Sequence, residues 1–322
     1  MQNLRVTQTA NFSGASVIGI ADKMMPKGQA QGSRHIFVDG TYGNDGFDGK
    51  SWESAYATFE KGIDACRFTA GTTDVAETTD NRAFLFMASG HYSETTEMLW
   101  SGHQISVIGC GGGRAGGDKG VVFNYACDSA STGVFLMSGS GNELFNFFIK
   151  NDAAIPSLFM YGGDNNWVHN LGIEGDGSTA TVGICAYSMK GCLIEDCDIA
   201  SHITYGIHLS QAGTADEYAI MGAIRNNRIS MVTGASSATG ILVDVNFTPY
   251  SFAIDRNFVE CRTGSSSKGI DVNCIVGCLI TDNYVSVPSS ATPIEHAGGE
   301  QYILGNHTAA GTTNVDPNPA AG

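Results

Sequence analysis

"IRNNRI" at residues 224–229 returns as "IDRNFV" at 254–259 and "ITDNYV" at 280–285, and the reading of these six residues decides the fold. A variant copy, "IEDCDI", stands at 194–199, and looser copies are "LFNFFI" (144–149), "VHNLGI" (168–173) and "ILGNHT" (303–308). Successive copies start 24, 26, 30, 30, 26 and 23 residues apart. A second apolar stretch precedes each one: "GVFL" at 133, "SLFM" at 157, "GICA" at 183, "GIHL" at 206, "GILV" at 240, "KGIDV" at 268 and "TPIE" at 292. Short apolar stretches between Gly, Asn and Ser turns, repeating at this interval, mark units that cannot bury an apolar face alone and must stack on their neighbours.

Composition agrees with stacked strands. Forty-two glycines against seven prolines, with 15% charged residues and no Gly-X-Y period, describe a turn-dense all-β chain. With no helical segment between the copies, the expected fold is a single-stranded right-handed parallel β-helix, each strand pairing with one a full coil later at about 4.8 Å. Positions one and six of the motif should point inward. The Asn at position four should occupy the bend, where its side chain tolerates left-handed backbone. A leucine-rich repeat would need spaced leucines and a helical half-repeat, which are missing. "AFLFMASGHY" (83–92), "ISVIGCG" (105–111) and "GVVFNYA" (120–126) extend the rhythm upstream. The expected division is an extended basic arm at 1–34, a leading strand and capping helix at 35–82, the β-helix at 83–308 and a tail at 309–322. In the cap, Ser54 to Cys66 should be an amphipathic helix with Tyr56, Phe59, Ile63 and Cys66 on one face, closing the first rung.

A net charge of −15 argues against nucleic acid or an anionic membrane as the main partner. The apolar runs are too short to span a bilayer, and "MQNLRVTQTANFSG" lacks the layout of a signal peptide, so the expected site of synthesis is a cytoplasm. Nine cysteines, an odd number, form no paired CxxC knuckles and read as small core hydrophobes. "GCGGGRAGG" (109–117) lacks the Gly-Lys-Ser/Thr ending of a phosphate loop. No cofactor or metal is expected.

"HIFVDGTYGNDGFDGKSWESAYATFEKGIDAC" (35–66), followed by "MASGHYSET" (87–95), resembles the opening of the pectate-lyase-like β-helix superfamily: a strand, an acidic Gly/Asn turn, a Trp-Ala helix and a "GxY" rung. The resemblance covers residues 35 to about 308 and implies a fold shared by phage tailspikes, other virion proteins, and polysaccharide lyases and hydrolases. It further implies a trimer packed side by side.

Candidate site residues follow from the register. Glu195, Arg225 and Asp255 share position two of successive motifs and should form an outward ladder of alternating charge, with Asp198 and Arg228 repeating it at position five ahead of Phe258 and Tyr284. These acids therefore read as structural. Counting one residue past the inward position of each second strand gives a row of Phe135, Phe159, Cys185, His208, Leu242, Asp271 and Glu295. Asp271 and Glu295, on consecutive rungs with no base between them, are the candidate catalytic pair, since retaining glycosidases hold two carboxyls about 5–5.5 Å apart. Phe135, Phe159, Cys185 and Leu242, with Phe148 at position five, form a candidate apolar oligomer interface.

Residues 1–34 hold Arg5, Lys23, Lys27 and Arg34 against Asp22 alone, opposite in sign to the acidic remainder. An arm of this kind, with Leu4, Val6, Phe12, Ile18, Ile20, Met24 and Met25 as its apolar contacts, is expected to anchor to a partner. The functional expectation is a structural phage virion protein, a trimeric capsid decoration or cement protein gripping a capsid shell protein or tail adaptor. The alternative is a tailspike-like protein that binds or cleaves host surface polysaccharide.

Overall fold

The structure is a computed structural model. It describes residues 34–66, 69–70, 73–74, 83–94, 98–111, 120–125, 133–187, 191–210, 222–231, 237–244, 252–262, 264–273, 278–296 and 301–309. The anchoring-arm residues Leu4, Arg5, Val6, Phe12, Ile18, Ile20, Lys23, Met24, Met25 and Lys27 lie outside these, as does most of the glycine-rich stretch at 109–117 and of the tail. Arg34 opens the leading strand, Arg34–Val38.

Every long-range strand pair among the described residues is parallel and in register, as the repeat demanded. The chain winds into a right-handed parallel β-helix of three sheets, with ten, nine and eight strands. The repeat suggested two strands per coil; the structure has three, because the six-residue motif is itself two short strands joined by a bend. Ile224 lies in Gly222–Arg225 of the first sheet and Ile229 in Arg228–Met231 of the second. The stretch that precedes each motif forms the third sheet.

The bend explains the motif. Left-handed backbone falls at position three, on Asn146, Asn170, Asp196, Asn226, Arg256 and Asp282, with φ between 52° and 68°. The Asn of position four has another task. Asn227, Asn257 and Asn283 are buried and stacked, each side-chain amide donating to the next Asn Oδ1, at 3.0, 2.9 and 2.9 Å, and to the carbonyl of Ile194, Ile224 or Ile254. Each Oδ1 in return accepts the preceding rung's backbone N–H, so the turn's polar groups are satisfied inside the solenoid. Earlier rungs fill the same place with Phe147, Leu171 and Cys197, all fully buried.

Inward ladders run through each sheet: Ile194, Ile224, Ile254 and Ile280 in the first, Ile173, Ile199, Ile229 and Val259 in the second, Leu158, Ile184, Ile207, Ile241 and Ile270 in the third. All are at most 1% exposed, and each contributes about 1.5–3 kcal/mol of apolar burial.

The cap is shorter than its sequence pattern suggested. Helix α1, Phe59–Cys66, buries Phe59, Gly62, Ile63 and Cys66. Thr58 is its N-cap, accepting the Lys61 N–H at 3.2 Å, while Asp45 accepts the N–H groups of Ala57 and Thr58. Tyr56 stays extended, paired with Val38. Gly62 permits the close approach: a Cβ there would lie 2.5 Å from Val38 Cγ2 and 2.8 Å from Leu85 Cδ1. Tyr92 of the "GHY" rung pins the leading loop, its hydroxyl accepting the Gly40 N–H and donating to the Ala88 carbonyl.

The seven described cysteines are buried, and burial pushes the thiols of Cys110, Cys185, Cys192 and Cys261 up to about 12.

Candidate functional site

Two outward faces carry chemistry. The first-sheet face holds Ser106, Glu143, Trp167, His169, Glu195 and Arg225. Glu143 accepts from Ser106 Oγ at 2.7 Å and pairs with His169 Nε2 at 3.0 Å. Glu195 accepts from Trp167 Nε1 at 2.8 Å and from Arg225 Nε at 2.6 Å. The expected register of Glu195, Arg225 and Asp255 is observed, although Asp255 turns sideways to Arg256. His169 is sandwiched between Phe145 and Trp167, with ring centroids 4.5 and 3.9 Å away. Both oxygens of each glutamate are engaged by neighbouring strands, so this network holds rungs together.

The third-sheet face differs. Its outward row is Leu136, Phe159, Cys185, His208, Leu242, Asp271 and Glu295. Phe135 does not belong to it, and its place in the interface is corrected: it pairs with Leu158 in the inward row and is 1% exposed, packed on Phe59, Phe123 and Phe147. "GVFL" misleads because Gly133 mimics the glycine that opens later repeats, whereas Val134 occupies that register. Phe159 and Phe148 are half-buried, while Cys185 and Leu242 are buried although they face away from the core.

Asp271 and Glu295 are register partners on adjacent strands. Lys268, which sequence reasoning missed, bridges them: its Nζ lies 2.7 Å from Asp271 Oδ2 and 2.7 Å from Glu295 Oε2, so those oxygens are at most twice that, about 5.4 Å, apart. Strict strand alternation would put Lys268 and Asp271 on opposite faces. Here Gly269 and Ile270 both face inward, which returns Asp271 to the side of Lys268. The same device recurs at Gly183, Gly206 and Gly240, where a Cβ would come within 2.5–2.7 Å of the next rung's carbonyl oxygen and collide with Ile199, Ile229, Val259 or, at Gly269, Val285. The repeated glycine before each inward Ile was the available signal.

Asp271 is 4% exposed and its Oδ1 makes no hydrogen bond. Burial raises its pKa, against the opposing pull of Lys268, whereas the Glu295 side chain is 43% exposed. Two rungs away His208 is held below its ordinary pKa by burial, its Nε2 also unpartnered, beside the Tyr205 ring at 4.7 Å. Further along, the rings of Phe159, Tyr161 and Tyr187 stack on one another. Among the described residues no three His, Cys, Asp or Glu side chains converge as metal ligands. The arrangement offers an acid whose proton burial favours, an accessible carboxylate beside it, a cation between them and aromatic surface nearby.

No protein-family model and no curated protein sequence matches the chain. Solved structures do. A DFA-IIIase from Arthrobacter chlorophenolicus A6 in complex with GF2 superposes with a TM-score of 0.58 at 15% identity, over 88% of this chain and 73% of that one. A pectin methylesterase in complex with a hexasaccharide gives 0.53 at 10% identity, over 88% and 92%. At these identities the likeness is one of fold.

Proposed function

We propose that the protein binds a glycan along the outward face of the third sheet and hydrolyses a glycosidic bond at Asp271 and Glu295. The observation that carries this reading is the Lys268 bridge, which holds one oxygen of each carboxyl no more than about 5.4 Å apart, as close as the carboxyl pairs of retaining glycosidases, about 5–5.5 Å. Asp271 is the general acid: burial favours its protonated form. Glu295 is the nucleophile, its Oε2 held 2.7 Å from Lys268 Nζ. Attack by Glu295 on the anomeric carbon breaks the bond to the leaving oxygen, which takes the Asp271 proton. Water then hydrolyses the glycosyl ester, returning the proton to Asp271. The fold shared with a pectin methylesterase seen in complex with a hexasaccharide supports the substrate class by analogy.

The test is release of reducing ends from a panel of bacterial surface and plant polysaccharides. Wild type should cleave at least one, and Asp271→Asn or Glu295→Gln should lower the rate by about 10²–10⁴-fold with unchanged circular dichroism. Cleavage by neither wild type nor variants, or full activity in both variants, would overturn it.

A second reading, a trimeric capsid decoration protein anchored by residues 1–34 to a shell protein, is favoured by the opposite charge of arm and body. Deleting residues 1–30 should then leave a folded solenoid that no longer joins particles stripped of it; full occupancy would refute the anchor.

A further inference from the structure

We infer that Phe159, Tyr161 and Tyr187 form a distal sugar subsite, so that the acid pair acts on an extended, uncharged glycan laid along the solenoid axis. This rests on the glycan reading and names the substrate class within it.

The three rings are on the same outward face as the acids, in two neighbouring rows. Phe159 follows Leu136 in the row that ends at Asp271 and Glu295, and Tyr161 and Tyr187 follow Ser138 in the next row, which continues through Ser210 to Asp244. The Tyr161 and Tyr187 rings stack 5.5 Å apart at 15°, and Phe159 lies 6.3 and 6.2 Å from them at 18° and 28°. The near-parallel rings stack on one another over two rungs into one aromatic platform, and Tyr161 is 53% exposed, so the platform is not used up by packing.

Distance sets the ligand's length. Strand Val182–Tyr187 is three strand steps from Lys268–Val272 and Leu158–Tyr161 is four. At about 4.8 Å per step the platform lies roughly 14–19 Å from the acids. One sugar unit of an extended chain covers about one such step, so a chain engaging both ends needs four or more units. Between the ends, Ser210 and Asp244 of the neighbouring row present polar groups for hydroxyls.

Charge sets the ligand's class. Among the described residues the outward rows carry Asp244, Asp271 and Glu295 against Lys268, and Lys268 is already engaged by two carboxylates. A uronic acid chain would meet the negative charge of these three acids, whereas an uncharged chain offers hydroxyls to the acids and apolar CH groups to the aromatics.

The experiment compares wild type with Tyr161→Ser plus Tyr187→Ser, using di- to hexasaccharides of the neutral polysaccharide that wild type cleaves. The double variant should lose about tenfold or more in kcat/KM on the hexasaccharide, through KM, and nothing on the disaccharide. Equal losses at both lengths, no loss at all, or a faster reaction on an acidic polysaccharide would overturn the inference. If wild type cleaves nothing, the hydrolytic reading fails, and fluorescence titration with neutral hexasaccharides decides the subsite separately: saturable binding weakened in the double variant supports it, and no binding sinks it. A change in mass by light scattering on the double variant would reassign the platform as a contact between copies and equally overturn the proposal.

Discussion

Replacing Asn257 by Leu separates the polar work of the asparagine ladder from its volume. Leu matches Asn in side-chain branching and heavy-atom count, and Leu171 stands at the same bend two rungs before Asn227, so no cavity is introduced and the bend is one that already holds a Leu. What is lost is hydrogen bonding at a site 1% exposed. Asn257 Oδ1 accepts the Asn227 backbone N–H and side-chain amide, each at 3.0 Å. Its Nδ2 donates to the Ile224 carbonyl and to Asn283 Oδ1, each at 2.9 Å. The Asn227 side chain keeps Ile194, and Asn283 Oδ1 keeps the Asn257 N–H. Two backbone groups, the Asn227 N–H and the Ile224 carbonyl, lose these bonds and are sealed from water. At about 1–3 kcal/mol for each buried group left unsatisfied, the expected loss is about 2–6 kcal/mol. Urea unfolding followed by circular dichroism measures it, with Leu171→Met as a volume-conserving control expected to cost less than about 1.5 kcal/mol. A loss below about 1 kcal/mol for Asn257→Leu would refute the claim that the ladder satisfies the turn.

Three further outcomes follow from named contacts. His202 is fully buried against Ser157, and burial lowers its pKa to about 4; the unfolded chain takes up a proton below about 6.5 that the folded chain refuses, so stability should fall by up to about 3 kcal/mol between pH 6.5 and 4, and His202→Gln should flatten that slope in denaturation curves. Gly240→Ala puts a Cβ 2.7 Å from the Gly269 carbonyl and into Val259, and should cost about 1–3 kcal/mol or more in the same assay; an unchanged midpoint would show that the backbone there yields freely. Phe135→Asp buries an unpaired charge and should prevent recovery of folded protein, whereas Phe159→Asp, half-buried on the outward face, should remain folded; the reverse order would contradict the register.

Repetition alone made the solenoid legible. Apolar residues at motif positions one and six recur on every coil, and a chain of short strands can hide such rows only by stacking them, so the parallel register and the Glu195–Arg225–Asp255 ladder could be read without coordinates. The tertiary structure decided which face each remaining side chain takes, because alternation holds only until the backbone bends. A two-residue bend inside the motif divides one apparent strand between two sheets. The glycine row places two successive residues inward, and that displacement brings Lys268 to Asp271 and Glu295, a trio that spacing by threes would have separated. Phe135 shows the same effect in reverse: a glycine one position early made a core residue look like a surface one, and only its strand pairing with Leu158 corrected it. Local pattern fixes the period of a stacked fold, but the facing of a side chain depends on where each bend falls, and that is settled by the fit of neighbouring rungs.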